Sequence, residues 1–461
     1  MLTLPIFTRY LSPEEFGTIA LLIAFGLVCR AIFGLGFGVS TGIVYFRAAV
    51  GDAQSGVAKT AFILTVLASL ALLAIVVPSA PTLSWLVLGG SNLFGMLILF
   101  TIAAALQNML QPALMRIQFL KKPFRYVILS TGSAMIGVAV ALWLVAVEGR
   151  GVSGWVEGTL IGALLGVIGG VLFNRDAIRA PVDWRAAREL MRLGLPVVPS
   201  LGFMFVVQNS GTYTLQHLAG LDQVGIYGIG LNMGLAMGLF AGAFFTAWTP
   251  FFQSYATHPA DAPQVFRQVA VSYAAIGGFL AVLFFTFAKP VIVLLTEPEF
   301  HDAYRIVGIA AFGQYLLGVW VILLPGIYFA GKTYVQTAVQ AVTAAIVVGL
   351  NFLLIPTWGI EGAALAMSIG MLAMVVLLAA VNRIKGYEAM AFSLVPVTLI
   401  GALMVPVALL QRLLDEVLSL VPATTIGIGI AVLYAGVGFR FLEPPVRRRL
   451  RAFVPGMSKS A

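Results

Sequence analysis

The chain has 461 residues, of which 60% are hydrophobic and only 10% are charged, and its formal net charge is +9. Soluble domains carry about 25% charged residues, so this composition excludes a soluble protein and indicates a polytopic membrane protein. The single cysteine excludes an internal disulfide and any multi-cysteine metal site, and the three histidines are widely separated. We therefore expect no metal site and no cofactor.

Membrane-spanning helices need about 20 predominantly apolar residues, and such stretches recur along the whole chain. These stretches lack the period-2 alternation of barrel strands, so helices are the remaining way to satisfy the backbone in lipid. Thirteen spans are predicted, at residues 17–46, 60–80, 84–115, 126–147, 151–173, 194–217, 224–255, 266–296, 304–330, 333–355, 359–382, 390–411 and 422–441.

Short motifs recur at a constant offset of 208 residues. The matching pairs are Leu11–Gly17 with Ala219–Gly225, Phe124–Val127 with Lys332–Val335, and Gly151–Gly154 with Gly359–Gly362. A constant offset predicts two tandem six-helix lobes, and an even number of spans per lobe makes this a parallel repeat. The predicted division is an N-terminal lobe at 1–180, a C-terminal lobe at 181–386, two further helices at 387–441, and a basic cytoplasmic tail at 442–461.

The repeat also suggests a gap at the start of the chain. The first helix of the second lobe spans about 194–217, and subtracting the offset places its counterpart before residue 1. We expect that the first helix is largely missing, which leaves about 13 full spans. The alternative is a genuine short N-terminal segment.

The charges of the connecting loops predict the orientation in the membrane. Most of the 27 Lys and Arg residues fall in alternate loops and in the C-terminal tail, and most acidic residues fall in the others. Positively charged loops face the cytoplasm, so we expect a multi-pass inner-membrane protein with a cytoplasmic C-terminus. An interfacial helix is predicted at Asp183–Leu193, with Asp183 as its N-cap. The side chains of Trp184, Leu190 and Met191 are expected to face the lipid.

Residues 351–364 carry a recognisable pattern. Asn351–Pro356 is followed by Gly359–Ala364, and further matches lie at Thr8–Gly17, Val224–Tyr227, Pro250–Phe252 and Gly331–Thr333. Together they resemble bacterial polysaccharide flippases of the multidrug/oligosaccharidyl-lipid/polysaccharide exporter superfamily. The resemblance implies two lobes in a V around a central cavity, and alternating access for an undecaprenyl-diphosphate-linked sugar. A polysaccharide polymerase or other assembly proteins are further implied partners. Anionic membrane lipids are expected to contact the arginines of the basic tail.

Two departures from that family keep other functions open. The first helix is missing, and Gly211-Thr212 stand where members often carry an acid–base pair. A cation-coupled multidrug exporter of the same fold and a truncated inactive paralogue are the alternatives. The sequence shows no nucleotide-binding loop and no catalytic constellation, so we expect neither an enzyme nor nucleotide or nucleic-acid binding.

Arg30 is the main candidate for a substrate-binding residue. It is the only charge in the stretch 17–46, and Gly26, Gly34, Gly38 and Gly42 stand at four-residue steps from it. A charge near mid-bilayer costs roughly 2.5–3.5 kcal/mol on insertion scales, and such charges usually serve a function. We predict that Arg30 binds the substrate diphosphate; the alternative is an arginine satisfied by helix carbonyls or amides. A second stripe, Gly230, Gly234, Gly238 and Gly242, is expected to face the first across the lobe interface.

Other polar residues complete the predicted site. Asn209, Asn232, Gln107 and Gln111 are candidate sugar contacts, although buried amides more often bond neighbouring helices. A cytoplasmic basic entrance is predicted at Arg47, Lys121, Lys122 and Arg125, although the orientation rule alone explains these cations. Glu157 is a weak candidate for ion coupling, because an acid this close to the surface usually reaches water or headgroups.

Overall fold

The computed structural model describes residues 3–90 and 93–442, except for the side chains of Ile178 and Pro259. In this part of the chain all regular secondary structure is helical. The first-repeat helices are α1 Leu4–Tyr10, α2 Pro13–Phe33, α3 Phe37–Arg47, α4 Asp52–Leu88, α5 Phe94–Phe119, α6 Pro123–Val127, α7 Ser133–Ala146, α8 Gly151–Phe173 and α9 Arg175–Arg179. The later helices are α10 Trp184–Gly194, α11 Val198–Ala219, α12 Leu221–Leu235, α13 Met237–Gln253, α14 Ala262–Leu295, α15 Tyr304–Ile322, α16 Pro325–Phe329, α17 Tyr334–Lys385, α18 Val395–Ala402, α19 Met404–Val417 and α20 Leu420–Phe441.

Within the described ranges, twelve helical segments are long and apolar enough to cross a membrane. The 52-residue segment Tyr334–Lys385 is counted once, but Gly359 inside it has φ +52° and ψ −128°, which is not helical. The segment therefore consists of two helices that meet at this residue, which explains the difference from the thirteen predicted spans. The predicted tail lies outside the described residues, apart from Leu442.

One predicted boundary, at a pair of prolines, lies too early in the chain. The division between spans 60–80 and 84–115 comes at Gly89, because α4 continues through Pro78 and Pro81 to Leu88. A proline removes one backbone hydrogen bond and crowds the preceding turn, which can kink a helix without ending it, whereas Gly89, at φ +75°, adopts a left-handed conformation that ends the helix.

The spans predicted at 17–46 and 224–255 are each broken into two helices. The first break is the turn at Leu35 and Gly36, whose φ angles are +49° and +67°. The second is at Ala236, between α12 and α13. A uniform apolar, glycine-rich pattern predicts the membrane span but does not reveal where its backbone turns.

Most of the second glycine stripe packs against α15. A Cβ on Gly234 would overlap Ala310, and one on Gly238 would lie 3.0 Å from Gln314 Oε1. These glycines let α12 and α13 approach α15 within the second half of the chain. The predicted pairing of the two stripes stays a prediction.

The tandem repeat is visible in the backbone. Gly151 and Gly359, at the predicted offset, both have left-handed φ angles, +53° and +52°. The amide nitrogens of Asn174 and Asn382, at the same offset, also each donate to the carbonyl of a residue in the neighbouring helical region, Ala113 at 3.5 Å and Leu323 at 2.8 Å respectively.

The closest contact in the repeat is reciprocal. A Cβ on Gly17 would overlap the carbonyl oxygen of Leu221, and a Cβ on Gly225 would overlap that of Pro13. Because both members of each pair are separated by 208 residues, the two copies of the motif pack on each other through equivalent atoms. The two glycines allow α2 and α12 to cross at backbone contact.

The chain divides into two compact units, Met1–Gly225 and Ile226–Ala461. In the first unit, α10 packs against α3 and α4. Asp183 caps α10 as predicted, because its Oδ1 accepts hydrogen bonds from the N–H groups of Arg185 and Ala186. Leu190 was expected to lie on lipid, but it is fully buried in a core cluster with Phe37 and Val44. The predicted lobe boundary at residue 180 stays a prediction.

Candidate functional site

Arg30 lies at the middle of the first membrane-spanning segment, Pro13–Arg47. The segment begins with a capping box, in which Glu15 N–H donates to Ser12 Oγ at 3.3 Å and Ser12 N–H donates to Glu15 Oε2 at 2.9 Å. From Pro13 the helix rises roughly 26 Å before it reaches Arg30. The whole segment is longer than a hydrocarbon core of about 30 Å, and Arg30 is the central residue of its sequence.

The helix ends just after Arg30. Gly34 N–H still donates to the Arg30 carbonyl at 3.0 Å, but Leu35 and Gly36 turn left-handed before α3 begins. The turn packs tightly on the end of α10, since a Cβ on Gly36 would overlap the carbonyl of Gly194. A cation in the last turn of a helix interacts favourably with the helix dipole, which provides one physical reason for an arginine here.

The guanidinium of Arg30 has no protein partner in the described part of the chain. The side chain is exposed on the surface of the first unit, and no hydrogen bond or ion pair of Arg30 occurs among residues 3–90 and 93–442. The five N–H donors of this group are therefore available to a ligand or to water. The alternative was that neighbouring carbonyls or amides accept or share hydrogen bonds with Arg30, and residues 3–90 and 93–442 contain no such bond.

Helix α5 places Gln107 at about the same height as Arg30 along the axis of α2. A Cβ on Gly26 would lie 2.9 Å from the ring of Phe100, and further along the same helices one on Gly42 would lie 3.6 Å from the ring of Phe119. The two segments therefore run in the same direction, and one turn beyond Gly26 corresponds to roughly residues 104–108 of α5. Gln107 in this range is half-buried, whereas Gln111, one turn further, is exposed.

Helix α11 places Asn209 near the same level. It packs against α2, and Tyr213 lies near Cys29, the residue before Arg30. Asn209 precedes Tyr213 by one turn, so it lies within roughly one or two helical turns of Arg30 along the axis. Its side-chain nitrogen donates to the Phe205 carbonyl at 3.2 Å, and its Oδ1 atom makes no hydrogen bond in the described part of the chain.

Comparison with known proteins identifies the family. A family model described as "Polysaccharide biosynthesis protein" matches residues 6–305, which is more than half of the chain. The chain belongs to this family. No curated protein matches it in sequence.

Solved structures of related fold agree with this membership. The chain is similar to an inward closed conformation of the lipid II flippase MurJ, with a TM-score of 0.68, 14% identity, and coverage of 95% of this chain and 96% of that one. It is also similar to an inward-facing MATE family transporter of the MOP superfamily, with a TM-score of 0.64, 15% identity, and coverage of 85% and 96%. The bent form of the Vibrio cholerae MATE transporter VcmN gives a TM-score of 0.56 at 14% identity, with coverage of 85% and 99%. The chain is thus a multi-pass membrane protein with a flippase- and exporter-type fold.

The remaining predicted residues of this family member are dispersed. Asn232 belongs to the second unit, where it is exposed and its amide donates to the Gly228 carbonyl at 2.8 Å. In the first unit, Arg47 forms an ion pair with Glu189 at 3.0 Å. Lys121 and Lys122 are exposed. Arg125 lies 5.9 Å from the centre of the Phe173 ring. Of the four entrance cations, Arg47 is therefore already matched by an acid.

Glu157 is also matched by an opposite charge. Arg150 Nη1 donates to its Oε2 at 2.6 Å, and the Glu157 side chain is 26% exposed. Arg150 is the N-cap residue of α8 and Glu157 lies in its second turn, where water or headgroups can reach them. This pairing leaves Glu157 less suited to binding a coupling ion. In the residues that the structure describes, no group of three or more His, Cys, Asp or Glu side chains is placed to bind a metal.

An ionic network around the buried Arg116 side chain was not predicted from the sequence. The Arg116 side chain is only 6% exposed and donates through Nη1 and Nη2 to both oxygens of Asp176, at 3.2 and 2.6 Å. Arg116 Nη1 also donates to Asn174 Oδ1 at 3.1 Å. This bidentate contact holds the pKa of Asp176 below its usual range. From the sequence, Arg116 indicated only the orientation of the chain in the membrane. Its acidic partner follows 60 residues later, so no local pattern links the two.

Proposed function

We propose that this protein is a secondary flippase that moves an undecaprenyl-diphosphate-linked sugar or oligosaccharide across the bacterial inner membrane, by alternating access of its two lobes. Its product would serve surface polysaccharide assembly, such as O-antigen or exopolysaccharide. Family membership supports the polysaccharide pathway. The fold supports membrane translocation.

A single observation supports an anionic lipid-linked substrate. Arg30 is a permanently charged group halfway along a membrane span, and no side chain or carbonyl of the described residues pairs with it. Arginine binds phosphates through two parallel N–H···O bonds and stays protonated in proteins. A diphosphate at Arg30 would compensate the charge, while Gln107 and Asn209 are near enough in level to bond the adjoining sugar.

The test is translocation by Arg30 variants in proteoliposomes that contain a lipid-linked sugar. We expect Arg30→Ala to reduce the rate by roughly 10- to 100-fold, which corresponds to the loss of a charged, bidentate contact. Arg30→Lys should recover part of the rate, since it restores the charge but not the two-pronged geometry. Arg188→Ala, at an exposed position of α10, is the matched control and should retain full activity.

Full activity of Arg30→Ala at normal expression would refute the role of Arg30 in binding. The multidrug alternative predicts a different result, namely transport of a lipophilic cation that depends on an ion gradient. Such a mechanism needs an accessible acid inside the membrane, and Glu157 is already paired with Arg150. Drug transport that survives Arg30→Ala would favour that alternative.

A further inference from the structure

The second unit contains an apolar groove that plays no part in the proposed transport site. It has a volume of about 370 Å³ and is formed by α14, α15, the second half of α17, and α19. Its apolar walls include Phe285, Ile309, Phe312, Leu365 and Met404. A cavity of this kind inside a single unit provides a binding surface for an elongated apolar ligand.

The groove is open along one side. Ile369, Leu372, Val405 and Leu409 line it and are 41%, 44%, 53% and 59% exposed. An apolar chain can therefore enter sideways from the surrounding lipid. Between Met404 and Glu416, both at the groove, α19 rises roughly 18 Å, and half of a hydrocarbon core is about 15 Å. The groove thus has the depth of one membrane leaflet.

One end of the groove carries charges of both signs. Arg305, Arg412, Asp415 and Glu416 all line it, so its lining side chains have no net charge. These residues lie at the start of α15 and at the end of α19, and the loop charges of the sequence predict that this end faces away from the cytoplasm. The charges are therefore at headgroup depth of the outer leaflet.

The charged end is an organised network around Glu361. Arg412 donates to both oxygens of Glu361, at 2.5 and 3.2 Å, and Arg305 lies 3.7 Å from Oε1. Arg305 also pairs with Asp302 at 3.2 Å, and Arg412 with Glu416 at 3.3 Å. Glu361 is only 12% exposed, whereas both arginines are about half exposed, at 47% and 53%. Each guanidinium therefore keeps N–H groups that the network does not use.

We propose that this groove binds one zwitterionic phospholipid of the outer leaflet, with a phosphoethanolamine headgroup. One acyl chain lies in the apolar groove, the phosphate accepts hydrogen bonds from Arg305 and Arg412, and the ammonium group donates to Glu416. The neutral sum of the lining charges favours a headgroup that also carries both signs. An anionic headgroup would find the same arginines but would place its uncompensated charge beside Asp415 and Glu416.

The experiment measures retained lipid and is independent of transport. The full chain is reconstituted in nanodiscs of equal parts phosphatidylethanolamine, phosphatidylglycerol and phosphatidylcholine, extracted in mild detergent, and examined by native mass spectrometry. We expect one retained phosphatidylethanolamine, preferred over phosphatidylglycerol by roughly tenfold, the effect of one charged hydrogen bond. Glu416→Gln should abolish this preference while total retained lipid stays unchanged.

Groove-filling variants test the acyl-chain position. Ala408→Trp places an indole in the groove and should reduce retention at least tenfold, an effect of about 1.4 kcal/mol. Leu410→Trp, on an exposed part of the same helix that does not line the groove, should retain the lipid. Val405→Trp, at the exposed lip, blocks the entry with less disturbance and should also reduce retention if Ala408→Trp fails to fold.

Three results would overturn the inference. These are unchanged retention in folded Ala408→Trp or Val405→Trp, preference for phosphatidylglycerol in the wild type, and displacement of the lipid by undecaprenyl diphosphate, which would make the groove part of the substrate site. None of them depends on Arg30, so the transport proposal and this one can fail separately.

Discussion

The Arg116–Asp176 pair allows an asymmetric prediction about stability. Arg116 is 6% exposed at its side chain, whereas Asp176 is 67% exposed. Removing Asp176 leaves a buried guanidinium without a counter-charge, and its remaining partners are the amide oxygen of Asn174 and, at 3.5 Å, Ser55 Oγ. Removing Arg116 leaves a carboxylate that water can solvate. The substitution at the exposed residue should therefore be the more destabilising one.

The expected magnitudes follow from the lost bonds. Asp176→Asn should lower the free energy of unfolding by about 2–3 kcal/mol, because the buried Arg116 guanidinium loses its paired hydrogen bonds to a carboxylate. The exposure of Asp176 to water keeps this loss moderate. Arg116→Met keeps the aliphatic packing and should cost about 1 kcal/mol. For a cooperative unit of 150–250 residues, 1 kcal/mol shifts the melting temperature by roughly 2–4 °C. We therefore expect shifts of about 4–12 °C for Asp176→Asn and about 2–4 °C for Arg116→Met.

The assay is thermal unfolding of the purified protein in detergent at several pH values. Because the folded pKa of Asp176 is depressed, the contribution of the carboxylate is present above its usual pKa of about 3.9 and is lost as the pH falls through the folded value. The difference between wild type and Asp176→Asn should thus shrink below about pH 4. Glu148→Gln, at an exposed position, is the control. An equal or larger loss for Arg116→Met would refute the asymmetry.

The remaining predictions concern glycine contacts and a surface pair. Gly225→Ala should lower the melting temperature strongly or prevent folding, because its Cβ would overlap the Pro13 carbonyl; a stable variant would contradict this close crossing. Gly359→Ala meets no atom within 4 Å, so we expect only the strain of its backbone, whose φ of +52° and ψ of −128° favour glycine, about 1–3 kcal/mol, in the same melting experiment. Arg150→Ala frees Glu157 at a partly exposed site and should cost less than about 1 kcal/mol; new sodium- or proton-dependent transport in this variant would revive ion coupling at Glu157.

Hydropathy and repetition determined much of the architecture. The apolar stretches predicted where the chain crosses the membrane, because lipid leaves a single segment no alternative to a helix. The offset of 208 residues predicted equivalent backbone positions, and Gly151 and Gly359 both have a positive φ, +53° and +52°. The sequence alone also drew attention to Arg30, since a lone cation in an apolar span is costly wherever it lies.

Tertiary structure decided how those elements are broken and what they contact. Prolines at 78 and 81 predicted a loop where α4 continues, and glycines at 34 and 36 lie at a break where one helix was expected. Whether a proline or glycine ends a helix depends on the packing of the helix, and that packing comes from distant residues.

The partners of the charged groups were likewise decided only by the fold. Arg116 meets Asp176 across 60 positions, and Arg412 meets Glu361 across 51. Loop charges predicted the side of the membrane for these residues, because orientation depends on the number of cations in a loop. An ion pair requires two side chains within about 4 Å of each other, and only the packing of whole helices brings residues so far apart in sequence to that distance.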